Sequence, residues 1–192
     1  MANSFIDALQ STALDIGSKA PQTLNTKYRN VTGVQPSAGM PKFKTSTPST
    51  LPTSIKQLGN VTVRPGESTR FEKSHPGIDI ANTIGTQLPA FTGGAVTAVQ
   101  TGQRQGSPGY GNYVIITDKN GNKHRYSHLD GTTVKMGDQI QPGQSVGTMG
   151  NTGQTYSLSG GTGSHLDYRI QDAYGKYVDP DFYVRQLLGT NI

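Results

Sequence analysis

The sequence predicts a mainly β fold, an antiparallel sandwich or barrel-like sheet, on three observations. Short β-branched or aromatic runs recur between glycine signals from about residue 60 onward, an Asn-Gly pair separates two of them, and apolar residues make up only 32% of a chain with 25 Gly, 11 Pro and no Trp. Runs of about four to six residues at near-regular spacing read as strands, and a turn-rich, apolar-poor composition argues against a helical bundle. At 192 residues there is room for one ordinary domain and a tail.

The elements follow in chain order. Within residues 1–20, Phe5, Ile6, Leu9, Ala13 and Ile16 fall at helical intervals, an amphipathic helix pattern and a candidate anchor. Residues 21–59 turn to Pro, Ser, Thr, Asn and Gly, as in Gln35-Pro36-Ser37-Ala38-Gly39. Such a stretch buries too little apolar surface to offset its ordering entropy, so it is expected to be a linker or strap, completing an extended N-terminal arm. Residues 60–192 hold the β domain, with strands expected at 61–63, 77–80, 94–99, 113–117, 123–126, 144–147 and 166–170. Lys119-Asn120-Gly121-Asn122 predicts an antiparallel hairpin between two of these. A short terminal helix follows, with Asp179 as its N-cap, Pro180 at its first position and Gly189 as its stop.

Charge and composition exclude several classes. A net charge of +5 and a pI near 9.4 permit attraction to any polyanion without choosing one. The Lys and Arg residues are dispersed, with no aromatic-flanked basic stripe, so nucleic acid is not an expected partner. The absence of cysteine excludes disulfides, a thiolate nucleophile and a Cys-ligated metal. No apolar stretch approaches the ~18 residues of a membrane span, and the start lacks the pattern of a signal peptide.

Only four histidines exist, and three stand in motif-like settings: His75-Pro76-Gly77-Ile78-Asp79, Tyr126-Ser127-His128-Leu129 and Gly163-Ser164-His165-Leu166-Asp167. A catalytic metal needs three protein ligands and an open position, and imidazole with carboxylate can supply them. On a strand, His165 and Asp167 share a face with Cα atoms about 6.6 Å apart, so one can hold an ion while the other addresses what the ion binds. His75 and Asp79, fully extended, would stand roughly 13 Å apart, too far to share an ion with ligand bonds of about 2 Å. Pro76-Gly77 must therefore turn the chain. His124 precedes His128 by four residues, about 13 Å along a strand, and is not expected to join the site.

Each motif alone is commonplace; their order is not. From about Arg70 to Val184 the sequence resembles the LytM/lysostaphin-type zinc endopeptidases. The resemblance rests on His75…Asp79, Gly109-Tyr110-Gly111-Asn112, Tyr126-Ser127-His128-Leu129, Gly137-Asp138 with Gly143-Gln144, Asn151-Thr152-Gly153, His165-Leu166-Asp167 and Asp179-Pro180. It implies a β sandwich with an open groove and a Zn2+ ion held by His75 and Asp79. His128 and His165 would flank the reacting water, one assisting its deprotonation and the other stabilising the tetrahedral intermediate. Where the family places a second His as third ligand this chain has Asp167, so the implied metal set is His75, Asp79 and Asp167. Two carboxylates offset the dication's charge and favour harder metals than zinc. A second departure is the long connection 154–163, expected to form a mobile wall over the cleft and to shape substrate choice.

The resemblance implies metal-assisted hydrolysis of peptide stems or cross-bridges in bacterial peptidoglycan. Lack of a signal, with a substrate outside the cytoplasm, leads to the expectation of delivery on a phage particle, the arm binding virion or tail proteins. The rivals are a catalytically degenerate domain kept as a structural or wall-binding module, and a cellular wall-remodelling enzyme exported without a recognisable signal.

Overall fold

A computed structural model describes residues 51–189, so the expected helix at 1–20 and most of the arm lie outside the described residues. The elements are α1 (Ile55–Leu58), β1 (Asn60–Val63), β2 (Ile78–Ala81), β3 (Gln87–Pro89), β4 (Gly94–Gln100), β5 (Tyr113–Thr117), β6 (Lys123–Ser127), β7 (Leu129–Thr132), β8 (Gln139–Ile140), β9 (Ser145–Met149), β10 (His165–Gln171), β11 (Tyr177–Val178) and α2 (Asp181–Leu188). The large sheet runs β1-β2-β10-β6-β5-β4-β8 with β11 beside β10, and a smaller sheet runs β3-β9-β7. The paired strands are antiparallel throughout, as expected.

Alternation along three central strands separates core from chemistry. Ile78 and Ile80 on β2, His124 and Tyr126 on β6, and Leu166, Tyr168 and Ile170 on β10 are buried on one face of the large sheet, where the apolar members join Leu88, Val146 and Met149 of the small sheet. The intervening residues take the other face. Register then sets them side by side: Asp167 lies opposite Asp79 on one flank and Ser127 on the other, and Arg169 lies opposite Arg125. A slip of one residue would exchange the two faces, so the apolar pattern of β10 also fixes where its polar residues stand.

The turns follow their residue chemistry. In the β5–β6 hairpin Asp118 Oδ1 accepts hydrogen bonds from the backbone N–H groups of Asn120 and Asn122, while Gly121 takes φ +83°. At α2 the N-cap is Pro180, one residue later than expected, while Asp179 Oδ1 accepts from the Asp181 N–H at 2.9 Å across it and the Gly189 N–H closes on the Arg185 carbonyl.

The expected linker boundary at residue 59 is corrected by α1. Ser54 caps it, and Ile55 and Leu58 are buried in the domain core. Two apolar side chains on one helical turn suffice to dock it, despite the polar stretch before it. Gly59 lets it pass, because a Cβ there would stand 2.4 Å from the Ala81 carbonyl oxygen.

Candidate metal centre

The five singled-out residues reach one place by four routes. Asp79 projects from β2 and Asp167 and His165 from the same face of β10; His75 comes from the loop before β2, and His128 from the junction of β6 and β7. The Pro76-Gly77 turn works as required, bringing His75 Nε2 to 3.0 Å from Asp79 Oδ1 and 3.8 Å from Asp167 Oδ1. One ligand atom from each of His75, Asp79 and Asp167 falls within 4.8 Å of the others, and all three residues are buried. Gly77 makes room, since a Cβ there would lie 2.7 Å from Arg169 Cγ and 2.9 Å from Asp167 Oδ1.

The hydrogen bonds around these atoms suit a cation. His75 Nδ1 lies 2.9 Å from Glu72 Oε2, and a carboxylate can only accept, so Nδ1 carries the proton and Nε2 presents a lone pair. Among the described residues, His75 Nε2 and Asp79 Oδ1 are buried without a well-formed hydrogen-bond partner. Two acceptors facing each other at 3.0 Å call for a positive charge between them. A second proton on His75 would serve: burial works to lower its pKa, but Asp79, Asp167 and Glu72 outweigh that and raise it. A divalent ion would serve all three ligands at once, and a nitrogen with two carboxylates is a donor set zinc accepts. The residues therefore fit a metal.

Two residues that sequence reasoning misses complete the cluster. Arg169 Nε donates to both oxygens of Asp167, at 2.8 and 2.9 Å, and its two terminal nitrogens each donate to one oxygen of Glu72 at 2.8 Å. Burial alone would raise the Asp167 and Glu72 pKa values, but the guanidinium holds both below the usual carboxylate range. The spacing of Arg169 from Asp167, two residues along one strand, is the available signal; Glu72 has none beyond its place three residues before His75.

The two remaining imidazoles stand beside this cluster, ring centroids 4.7 Å apart. His128 Nδ1 donates to the Thr152 carbonyl at 2.7 Å and His165 Nδ1 to that of Gly163 at 2.8 Å, so both rings turn Nε2 inward. His128 Nε2 lies 4.0 Å from Asp167 Oδ2, and His165 Nε2 lies 4.0 Å from Asp79 Oδ2. Burial, with His165 alongside, pushes the His128 pKa down to about 4, which keeps it neutral at pH 7.

His128 adopts φ +61°, an uncommon backbone state for a residue with a side chain. The glycine motifs hold it there. The His128 N–H donates to the Tyr110 carbonyl, while Asn112 and Thr152 hydrogen-bond each other and the Leu129 carbonyl. Gly111 and Gly153 pack backbone to backbone, with no space for a Cβ on either. His124 is fully buried on the core face between Tyr168 and Asp118, outside the site as expected.

A groove of roughly 670 Å³ runs over the cluster. The long connection 154–163 forms one wall, and Phe71 lines the groove with it. The rings of Tyr156 and Phe71 meet edge to face at 5.3 Å, and the Arg70 N–H donates to the Tyr156 hydroxyl, which ties the connection to the Arg70-Phe71 segment.

Residues 73–180 match the model of Peptidase family M23. Peptidoglycan DD-endopeptidase ShyA of Vibrio cholerae is 40% identical over 96 residues, 50% of this chain and 20% of that protein. Murein hydrolase activator NlpD of Escherichia coli is 32% identical over 115 residues, 60% of this chain and 27% of that protein. The chain thus corresponds to about a fifth to a quarter of the length of these relatives. A crystal structure of the catalytic domain of a mutant of the prophage-encoded M23 protein EnpA from Enterococcus faecalis superposes with a TM-score of 0.52 at 31% identity, covering 63% of this chain and 88% of that one.

Proposed function

The chain belongs to peptidase family M23, and from that premise we propose that it is a zinc-dependent endopeptidase cutting peptide bonds in the stems or cross-bridges of peptidoglycan. The observation that carries the proposal is the set of facing, unsatisfied acceptors on His75 and Asp79, completed by Asp167 and flanked by two inward Nε2 atoms. Similarity to a peptidoglycan DD-endopeptidase supports the substrate class.

His75 Nε2, Asp79 Oδ1 and an oxygen of Asp167 would hold the ion. It supplies Lewis acidity, polarising the scissile carbonyl and acidifying water. His128, neutral at pH 7, takes the water's proton at Nε2 and passes it to the leaving amine. His165, the second imidazole beside the ligand cluster, is the group placed to stabilise the tetrahedral intermediate. Thr152 and Gly163 hold both rings in orientation through their carbonyls.

The test is the metal content of the purified chain together with the release of soluble peptides from isolated cell wall. His128→Ala and His165→Ala should each retain metal and lose about 10²- to 10⁴-fold in rate. Asp79→Ala should lose the metal. The second reading is a non-hydrolytic module, favoured by the likeness to a hydrolase activator and by Asp167 at the third position. A metal-free wild type that stimulates wall digestion by another hydrolase would establish that reading instead.

Delivery on a phage particle is the proposed route to the wall, with the arm binding virion or tail proteins; the likeness to a prophage-encoded protein supports it. Because Ile55 and Leu58 are buried in the core, the deletion that tests it is residues 1–50. The shortened chain should digest wall yet be missing from purified particles. Its continued presence there would rule out anchoring by the arm.

A further inference from the structure

Arg169 has no part in the reaction steps above, yet its guanidinium binds two of the centre's carboxylates at once. Nε is shared between both oxygens of Asp167, and the two terminal nitrogens grip both oxygens of Glu72. Glu72 Oε2 in turn accepts the Nδ1 proton of His75. A closed chain, Asp167 to Arg169 to Glu72 to His75, thus joins two of the three ligands through one buried cation. Tyr110 packs on its outer side, with the guanidinium carbon 5.0 Å from the ring centroid.

We propose that Arg169 is the positioning residue that makes an aspartate serviceable as third ligand, bracing Asp167 directly and His75 through Glu72. The inference rests on the metal-binding reading above and extends it to metal affinity and choice. The argument has a charge side and a geometric side. Asp79, Asp167 and Glu72 carry three negative charges and Arg169 returns one positive, leaving a balance of two that a divalent ion neutralises. Without Arg169 the site keeps one negative charge even with the ion bound, and Asp167 becomes a more anionic donor that favours harder ions over zinc. The added charge by itself draws any dication more strongly, so a loss of zinc affinity must come from the geometric side. On the geometric side, the two Nε bonds fix the plane of the Asp167 carboxylate, while Glu72 fixes the His75 ring and keeps its Nε2 lone pair directed at the ion. Partners behind metal ligands act this way, and their loss weakens binding about 10- to 100-fold.

The experiment strips the full chain of metal and titrates zinc, then manganese, against a chromophoric chelator, with circular dichroism confirming that each variant is folded. R169Q is expected to bind zinc about 10- to 100-fold more weakly than wild type and to shift the zinc-to-manganese affinity ratio toward manganese. A merely structural ion pair would lower thermal stability and leave that ratio unchanged. R169K keeps the charge without the fork and should recover only part of the loss. Should R169Q not fold, E72A serves instead, because the Glu72 side chain is one-third exposed and its removal still frees His75. It is expected to weaken zinc at least about tenfold. Unchanged or tighter zinc binding in folded R169Q, or in E72A if R169Q does not fold, overturns the proposal while the metal centre stands. A wild type that binds no zinc overturns both.

Discussion

Gly77 shows how far a single residue can reach beyond its own turn. It bends the chain between His75 and Asp79, and its missing side chain also leaves the space that Asp167 and Arg169 occupy. Gly77→Ala is therefore expected to cost about 1–3 kcal/mol by overpacking and to weaken metal binding. Paired chemical denaturation and zinc titration would show this; a variant with wild-type values in both would mean that β2 and β10 can separate slightly without penalty. The turn is legible in the sequence and the space is not. Likewise His75, Asp79, His128, His165 and Asp167 stand in motif-like settings around three of only four histidines, and it is the ordered resemblance to the LytM/lysostaphin type that implies their roles. Glu72 and Arg169, however, lie 97 positions apart, and only folding brings them together. Nor does composition mark the left-handed backbone of His128, which depends on hydrogen bonding to the Gly109-to-Asn112 and Asn151-to-Gly153 segments.

Secondary elements divide by length and by what they pack against. β5 lies at the bounds its β-branched run predicts and the other six expected strands lie within one or two residues of theirs; β3, β7, β8 and β11, of two to four residues, carry no comparable signal. Those strands exist because neighbours hold them: the Leu-Asp-Gly-Thr of β7 has little strand propensity and is ordered by pairing with β9. The segment of α1 is hidden for a related reason, its two apolar residues being too few to stand out from a polar stretch. Connection 154–163, expected as a wall, lines the groove, with Leu158 94% exposed at its tip. Replacing it with a short turn should alter which wall peptides are released, as judged by mass spectrometry of the digest. An unchanged product pattern would remove it from substrate choice.

For the molecule as a whole, pH should act through the buried core as well as through the site. Burial holds the His124 pKa below the ordinary imidazole value, and Asp118 offsets this only in part. The unfolded chain takes up that proton near pH 6.5, so below this point it binds more protons than the folded state, and stability present at pH 7 is lost as the pH falls. The Tm should drop between pH 7 and pH 5. His124→Phe, lacking the Tyr168 and Asp118 hydrogen bonds, should be less stable at pH 7 but show a shallower drop. Equal slopes for the two proteins would exclude His124 as the sensor. The Tyr156–Phe71 contact and the Arg70–Tyr156 hydrogen bond tie the 154–163 connection to the segment before His75. Any widening of the groove on that side must either break both contacts or carry the two segments outward as one piece.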